Sequence, residues 1–348
     1  MREFNNIRKE ELAMPKQYKI SKMNGKSTLI TGGLGFIGSN LAHKLVSLGA
    51  DVVLLDGMVE PYGWNLFNIQ DINNDVQLIK IDVRDKDLLQ KIITDFEFDY
   101  IFHLAAQVGR EISMEDPYKD LEINCKGTLN ILEACRKCEK SPKIIFSGTR
   151  GQIGEPEYIP VDGKHPTNPT DVYGINKLAA EKYLLVYHKA YGIPVVSLRL
   201  NNVYGPRCQT RYNYYGILNW FIRLALEGKT IPVYGDGQQT RDYIYIEDVV
   251  DAFCLASQNH KTIGKTYFVG SGKETIFLKM VEEVIAAVGK GDYAHIPFPQ
   301  ERERIDIRRF VIDYSELKND TGWHPTISLK KGIKKTVEFY KANIEKYI

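Results

Sequence analysis

The chain has little charge imbalance. Its 46 Lys and Arg stand against 44 Asp and Glu, a formal net charge of +2. A balance this even gives no field to draw nucleic acid or an anionic membrane. Cysteine is also scarce: five in 348 residues, Cys125, Cys135, Cys138, Cys208 and Cys254. An odd, low count excludes a disulfide framework and points to a reducing, cytoplasmic setting. Cys135 and Cys138 form a lone CxxC late in a helical stretch. No second pair or nearby histidine completes a zinc set, so they read as structural. No apolar run approaches the ~18 residues of a membrane span. Residues 1–25 lack the apolar core of a secretory signal and read as a polar extension.

What the chain does have is alternation. STLITG, DVVLLD, VQLIKID, DYIFHLA, KIIFSG and VVSLRL are short apolar runs bounded by turns. Between them lie stretches with apolar spacing near the helical period, among them FIGSNLAHKLVSLG, DKDLLQKIITDF, YKDLEINCKGTLNILEACRKC and YGINKLAAEKYLLVYHKAYG. Buried strands alternating with helices predict an α/β chain: a doubly wound parallel sheet of Rossmann type, covered on both faces. After about residue 200 the pattern loosens into a Tyr-, Arg-, Gly- and Pro-rich stretch up to Arg241. DYIYIEDVVDAFCLAS and KTYFVGSG then read as a return to the sheet, and the tail is helical. This divides the chain into a core of 26–200 plus about 242–270, and a smaller, discontinuous C-terminal α/β substrate domain of about 201–241 plus 271–348.

TGGLGFIG, Thr31 to Gly38, lies between the first strand and the first helix. Gly32, Gly35 and Gly38 permit a tight turn and close backbone approach to a pyrophosphate. The helix start, with Phe36 and Ile37, then offers free N–H groups and positive dipole to the anion. Asp56 ends the second strand 18 positions after Gly38. A carboxylate there accepts hydrogen bonds from the ribose hydroxyls and repels a 2′-phosphate, which favours NAD over NADP. Asp82, at the end of the third strand, is placed to reach the adenine edge.

Tyr173 and Lys177 open a long helix at i and i+4, so they share one face. A free tyrosine, with pKa of about 10, is a poor base at neutral pH. A neighbouring ammonium and a cationic nicotinamide stabilise its phenolate. Thr149 lies 24 positions upstream, at a strand end, where its hydroxyl can bond the same substrate oxygen. The small polar segment SGTRGQIG around it leaves room for a sugar.

In this combination the sequence resembles the extended short-chain dehydrogenases/reductases that act on nucleotide sugars, the epimerase/dehydratase group. The likeness runs from about Lys26 to the C-terminus. It rests on TGGLGFIG, Asp56, HLAA (His103 to Ala106), NCKGT (Asn124 to Thr128), the Thr149/Tyr173/Lys177 set, RLNNVYGPR and VYGDGQQTRDYIYIEDV. The resemblance implies six or seven strands, tightly held NAD, and a homodimer through helices at about 117–138 and 173–191. It implies catalytic roles for Thr149, Tyr173 and Lys177. Val83, Leu104, Ala105, Ala106, Asn124 and Ser147 join the cofactor set, as do Tyr173 and Lys177, the lysine holding the NAD ribose. Asn202, Tyr234, Arg241 and Arg304 join Thr149 around the substrate, the arginines on its diphosphate. Arg302 and Arg308 are alternatives to Arg304.

One departure from the family narrows the reaction. The 4,6-dehydratases carry Asp-Glu directly after the threonine; here Arg150-Gly151 follow. The decarboxylases carry a glutamate near the same turn; here the nearest side chains are Arg150 and Gln152. What remains is epimerisation of a nucleoside-diphosphate sugar through transient oxidation to a keto-sugar at C4. Inversion at C2 is a variant, from some likeness of the stretch after Asn201 to CDP-sugar 2-epimerases. The segment Tyr212 to Phe221 is expected to line the sugar or base pocket. The alternatives are a 4-dehydrogenase or 4-keto reductase with exchangeable NAD(H), and a non-catalytic NAD-binding sensor.

Overall fold

The computed structural model describes residues 18–298 and 306–348. Residues 1–17 of the polar extension therefore lie outside the described residues, as do Arg302 and Arg304. The chain begins with strand β1 (Ser27–Thr31), helix α1 (Phe36–Ser47), β2 (Asp51–Asp56), β3 (Val76–Lys80), α2 (Lys86–Phe96) and β4 (Tyr100–His103). Next come α3 (Arg110–Glu115), α4 (Pro117–Asp120), a π-helical segment (Leu121–Lys126) and α5 (Gly127–Cys135). β5 (Lys143–Thr149), α6 (Val172–Tyr191) and β6 (Val195–Leu200) follow. Beyond them are β7 (Asn202–Tyr204), α7 (Ile217–Leu226), β8 (Ile231–Tyr234), β9 (Thr240–Arg241), β10 (Tyr243–Tyr245) and α8 (Ile246–Gln258). The chain closes with β11 (Lys265–Val269), β12 (Thr275–Ile276), α9 (Phe277–Val288), β13 (Tyr293–Ile296), α10 (Ser315–Thr321) and α11 (Leu329–Asn343).

Seven strands form one sheet in the order β11-β6-β5-β4-β1-β2-β3. Every pairing in it is parallel. Successive strand residues point to opposite faces. Ile30, Leu54, Phe102, Ile145 and Val196 therefore pack on one side, with Leu41 and Leu45 of α1 and Phe253 of α8. Leu29, Val53, Ile101, Ile144 and Val195 pack on the other, with Leu89 of α2, Leu132 of α5 and Leu184 of α6. The strands are apolar on both sides because helices cover both faces. The strand order reverses between β1 and β4, and the carboxyl ends beside that point open a crevice where ligands of such sheets bind.

The structure departs from the sequence reading in three places. Tyr243–Tyr245 does not rejoin the large sheet; it pairs in parallel with Asn202–Tyr204, and only β11 returns to β6. The stretch expected as one helix over 118–138 is interrupted by the π-helical turn at Leu121–Lys126. Asp82 stands two residues beyond the end of β3. The remaining C-terminal elements pack around α7, α9 and α11, with β8 beside β13 and β9 beside β12. All five cysteines are free thiols.

Candidate active site

A cavity of about 490 Å³ lies over the carboxyl ends of the sheet strands and reaches across to the loops before α7. At one end is the turn between β1 and α1. Gly32 takes φ +70°, and an added Cβ would stand 2.9 Å from the Ala105 nitrogen. At Gly38 a Cβ would stand 2.2 Å from the Gly32 carbonyl oxygen. Only glycine fits either position. Gly35 precedes the first turn of α1 with no side-chain cap on the helix's free N–H groups. Those groups, together with the helix dipole, make the turn a cradle for an anion.

Asp56, at the end of β2, lies in the wall of the same cavity. One carboxylate oxygen accepts from Leu34 N at 3.0 Å and the other from Met58 N at 2.9 Å. Burial, with Asp82 nearby, holds its pKa above the usual range despite those bonds. Asp82 is gripped by Arg84, whose Nε and Nη2 donate at 3.0 and 2.8 Å. Burial alone would raise its pKa, but the Arg84 hydrogen bonds and charge carry it below the usual range. Phe36, Ile37, Val83, Leu104, Ala105, Ala106 and Ser147 also line the cavity.

His103 ties this end together. Its Nδ1 lies 2.8 Å from Thr31 Oγ1, and its Nε2 lies 3.0 Å from Thr128 Oγ1. Thr31 Oγ1 already accepts from Leu104 N and Ala105 N, so its proton goes to Nδ1. The network then assigns the ring proton to Nε2, donating to Thr128, which donates to Asn124 O at 2.8 Å. Burial and the Lys177 charge hold the imidazole neutral, with pKa down to about 3.

Thr149, Tyr173 and Lys177 meet at the middle of the cavity. Thr149 ends β5 and caps a short 3-10 turn, its Oγ1 accepting from Gly151 N at 3.1 Å. α6 starts on Asp171, whose carboxylate accepts from Gly174 N at 2.7 Å and is paired with Arg110. That cap, with a 3.1 Å bond from Tyr173 N to Ser113 Oγ, fixes where the Tyr173 ring enters the cavity. Burial raises the phenol's pKa above its ordinary value, while a hydrogen bond with the Thr149 hydroxyl pulls it down. Lys177 lies under the wall rather than on it, 1% exposed. Its ammonium sits 4.2 Å from the centroid of the Phe146 ring. Burial pulls its pKa to about 7, opposed by the charges of Asp120 and Glu181. The acidified phenol expected from sequence is thus not a property of these side chains alone. A second cation at the cavity is needed to complete it.

Asp120 and Glu181 are residues the sequence reading missed. Asp120 is fully buried and accepts from Gln107, Asn124 and Asn176 at 2.8, 3.0 and 2.7 Å. Glu181 receives Arg199 through two bonds, at 2.6 and 3.1 Å, and Ser197 Oγ at 2.7 Å. Glu181 lies four residues after Lys177 and Asp120 four before Asn124, so helical spacing was a usable signal for both; the other partners of Asp120, Gln107 and Asn176, are 13 and 56 residues away.

Not every expected residue reaches the cavity. Asn124 is buried behind it, held by Asp120 and the Gln107 carbonyl. Tyr234 lies off the wall, its ring against Phe298 at 5.4 Å. Arg241 also lies off it, drawn to Asp306 at 2.7 Å. Asn202 does line the cavity and accepts from Arg150 Nε at 3.2 Å. Of Tyr212 to Phe221, residues 213–218 contribute to the lining, while Phe221 is core.

Several polar atoms in the lining are buried with no partner among the described residues: Tyr62 Oη, Trp64 Nε1, Arg150 Nη1, Asn201 Nδ2, Tyr215 Oη and Tyr243 Oη. Unsatisfied buried donors are costly, and a hydrogen-bonding ligand would relieve them. No cluster of metal-ligating side chains occurs among the described residues.

Comparison with known proteins gives the same picture. The GDP-mannose 4,6-dehydratase family model matches residues 29–336. A putative UDP-glucose 4-epimerase of Methanocaldococcus jannaschii is 37% identical over 316 residues, covering 90% of this chain and 98% of that protein. The UDP-glucose 4-epimerase of Mycolicibacterium smegmatis is 35% identical over 315 residues, again 90% and 98%. The structure of the Thermus thermophilus UDP-glucose 4-epimerase complex with NAD aligns with a TM-score of 0.82 at 32% identity, covering 91% of this chain and 99% of that one. The chain belongs to the extended short-chain dehydrogenase/reductase family of NAD-dependent sugar epimerases and dehydratases.

Proposed function

We propose that the chain is an NAD-dependent epimerase of a nucleoside-diphosphate sugar, acting through transient oxidation of one ring hydroxyl, at C4, and reduction from the opposite face. The observation that carries this reading is the Thr149–Tyr173 pair in the cavity wall, with Arg150 and Gly151 following Thr149. Oxidation needs a base at the hydroxyl, and Tyr173 supplies it. Water elimination needs acid and base groups beside the threonine, and Arg150-Gly151 supplies neither.

The residues present fit NAD. The Gly32–Gly38 turn has room for backbone to meet a pyrophosphate, and Asp56 faces the cavity where a ribose would offer hydroxyls. When bound, NAD supplies the hydride acceptor and a positive ring beside Tyr173. Tyr173 then holds and returns the hydroxyl proton. Thr149 orients the substrate oxygen. Lys177, under the wall, supports the phenolate electrostatically instead of touching the substrate. Asn202 faces the substrate end; substrate roles for Arg241, Tyr234 and Arg304 rest on the resemblance, since the first two lie off the wall and the third falls outside the described residues.

We divide the chain into a cofactor part, 26–200 plus about 242–270, and a substrate part, about 201–241 plus 271–348. A homodimer through the helices around 117–138 and 173–191 is favoured by their exposed apolar side chains, Leu121, Tyr183 and Val186, at 45%, 41% and 59% exposure. A cytoplasmic setting is favoured by the free thiols.

The test is turnover of UDP-, GDP-, CDP- and dTDP-sugars followed by NMR, with and without added NAD. Epimer formation without added cofactor supports the proposal. Strict dependence on added NAD(H), with net oxidation or reduction, assigns a dehydrogenase or reductase instead. Full function in cells for Tyr173→Phe assigns a sensor.

A further inference from the structure

Arg150 is the residue of the cavity that the reaction leaves unexplained. It follows Thr149 directly, so its side chain starts beside the hydroxyl that orients the sugar. Its neighbours are spoken for: Arg110 is paired with Asp171, and Arg241 with Asp306. Arg150 has no carboxylate partner among the described residues. Its Nε donates to the amide oxygen of Asn202 at 3.2 Å, and its guanidinium lies 5.3 Å from the Phe310 ring centroid. Those two contacts fix the plane. Nη1 is then left buried at the cavity wall, without a partner among the described residues.

Two further donors at this wall, Tyr243 Oη and Asn201 Nδ2, are unpartnered among the described residues. Tyr243 is close enough to feel the charges of both Arg150 and Arg241. The wall beside Thr149 therefore offers donors and positive charge. A neutral hydroxymethyl oxygen accepts from at most two donors and neutralises none of the charge. A carboxylate accepts several hydrogen bonds and pairs with a guanidinium in plane. The charge of Asp306 also reaches Arg150, but Asp306 is already paired with Arg241. Holding a part-buried guanidinium without a carboxylate of its own is costly, and an anionic ligand group removes that cost.

We infer that Arg150 selects a nucleoside-diphosphate sugar bearing a carboxylate, and that its Nη1 binds that carboxylate beside Thr149. The inference rests on the nucleotide-sugar reading above and names its substrate class. A diphosphate oxygen shares the same chemistry. The position of Arg150, one residue from Thr149, places it at the sugar instead.

The test compares a uronate and its parent hexose on the same nucleoside diphosphate. In the wild-type protein the uronate has the higher kcat/KM, by about 100-fold, the scale of one charged hydrogen-bonding pair. In Arg150→Gln that ratio falls to within about fivefold of unity, and Arg150→Lys recovers part of it. A wild-type preference for the neutral hexose overturns the inference. So does an Arg150→Gln protein that weakens the bare nucleoside diphosphate as much as the uronate, which assigns the arginine to the diphosphate. Thermal shifts with the same ligands are read in parallel in Tyr173→Phe. A larger shift with the uronate than with the hexose there upholds the role of Arg150 even if no sugar is turned over, which would defeat only the epimerase reading. Equal shifts defeat the role of Arg150.

Discussion

Gly38→Ala tests the phosphate turn at atomic scale. The new Cβ would lie 2.2 Å from the Gly32 carbonyl oxygen and 3.0 Å from both the Gly32 carbonyl carbon and the Gly33 Cα. All three are backbone atoms, so no rotamer change relieves the clash. Restoring an ordinary contact of 3.4 Å requires the turn and the helix to separate by about 1.2 Å. Overpacking of this kind costs about 1–3 kcal/mol, and alanine returns about 1 kcal/mol of helix propensity. The net stability loss is therefore small, at most about 2 kcal/mol. Binding suffers more, because the N–H groups that face the ligand move with the turn. Displacement on the order of 1 Å costs about 100-fold in a positioned site. Gly35→Ala is the internal comparison. Its Cβ would meet only the Gly32 oxygen, at 3.3 Å, and would otherwise stand in the open at the cavity wall. It should leave stability within about 0.5 kcal/mol while lowering affinity about tenfold or more, by holding the pyrophosphate off the backbone. The assay is the NAD content of the purified proteins, followed by calorimetric titration of stripped protein with NAD and urea unfolding of each variant. Gly38→Ala binding NAD within twofold of the parent would refute the reasoning.

Further expectations concern charge, burial and assembly. Lys177 has a folded pKa pulled down to about 7, whereas in the unfolded chain a lysine holds its proton to about 10.4. From about pH 7 upward the unfolded state binds the extra proton, so cofactor-free stability should rise with pH, by at most about 1.4 kcal/mol per unit. Urea titrations at pH 7, 8 and 9 should show this rise, and Lys177→Met should remove it; equal slopes in both proteins would contradict it. Glu181→Ala leaves Arg199 buried without its partner and should destabilise by about 3–5 kcal/mol, read as a lowered urea midpoint. Asp56→Asn removes the charge that repels a 2′-phosphate, so the NAD-to-NADP affinity ratio should fall about tenfold in competitive titration. Val186→Asp should shift a dimer toward monomer in sedimentation if the α6 face is the interface.

How much of this was legible in the sequence depended on how local each signal was. The six N-terminal strands and the glycine turn were legible, because apolar runs between turns and glycine spacing are local marks. Thr149, Tyr173 and Asp56 were legible for the same reason: each lies at an element boundary where the fold opens its crevice. The π-helical turn at Leu121–Lys126 was not, since it coincides with amides gathered on Asp120 from Gln107, Asn124 and Asn176. The same gathering carries Asn124 behind the cavity. That Arg241 and Tyr234 lie off the cavity wall was not legible, because their neighbours, Asp306 and Phe298, are more than 60 residues away in sequence. Lys177 was rightly joined to Tyr173 on one helical face. Its depth, though, comes from Phe146 on the neighbouring strand, which no spacing on α6 reveals. Arg150 was visible as a departure, but its lack of a carboxylate partner among the described residues depends on the fold, which pairs Asp306 with Arg241.

The claim on which the account stands is that Tyr173 moves the proton of the sugar hydroxyl. The direct measurement is kcat for Tyr173→Phe on an accepted nucleotide sugar, alongside its NAD content. The account predicts a loss of about 10²–10⁴-fold, the scale of a general acid–base group, with NAD retained. Activity within a few fold of the parent, with NAD in place, would contradict it.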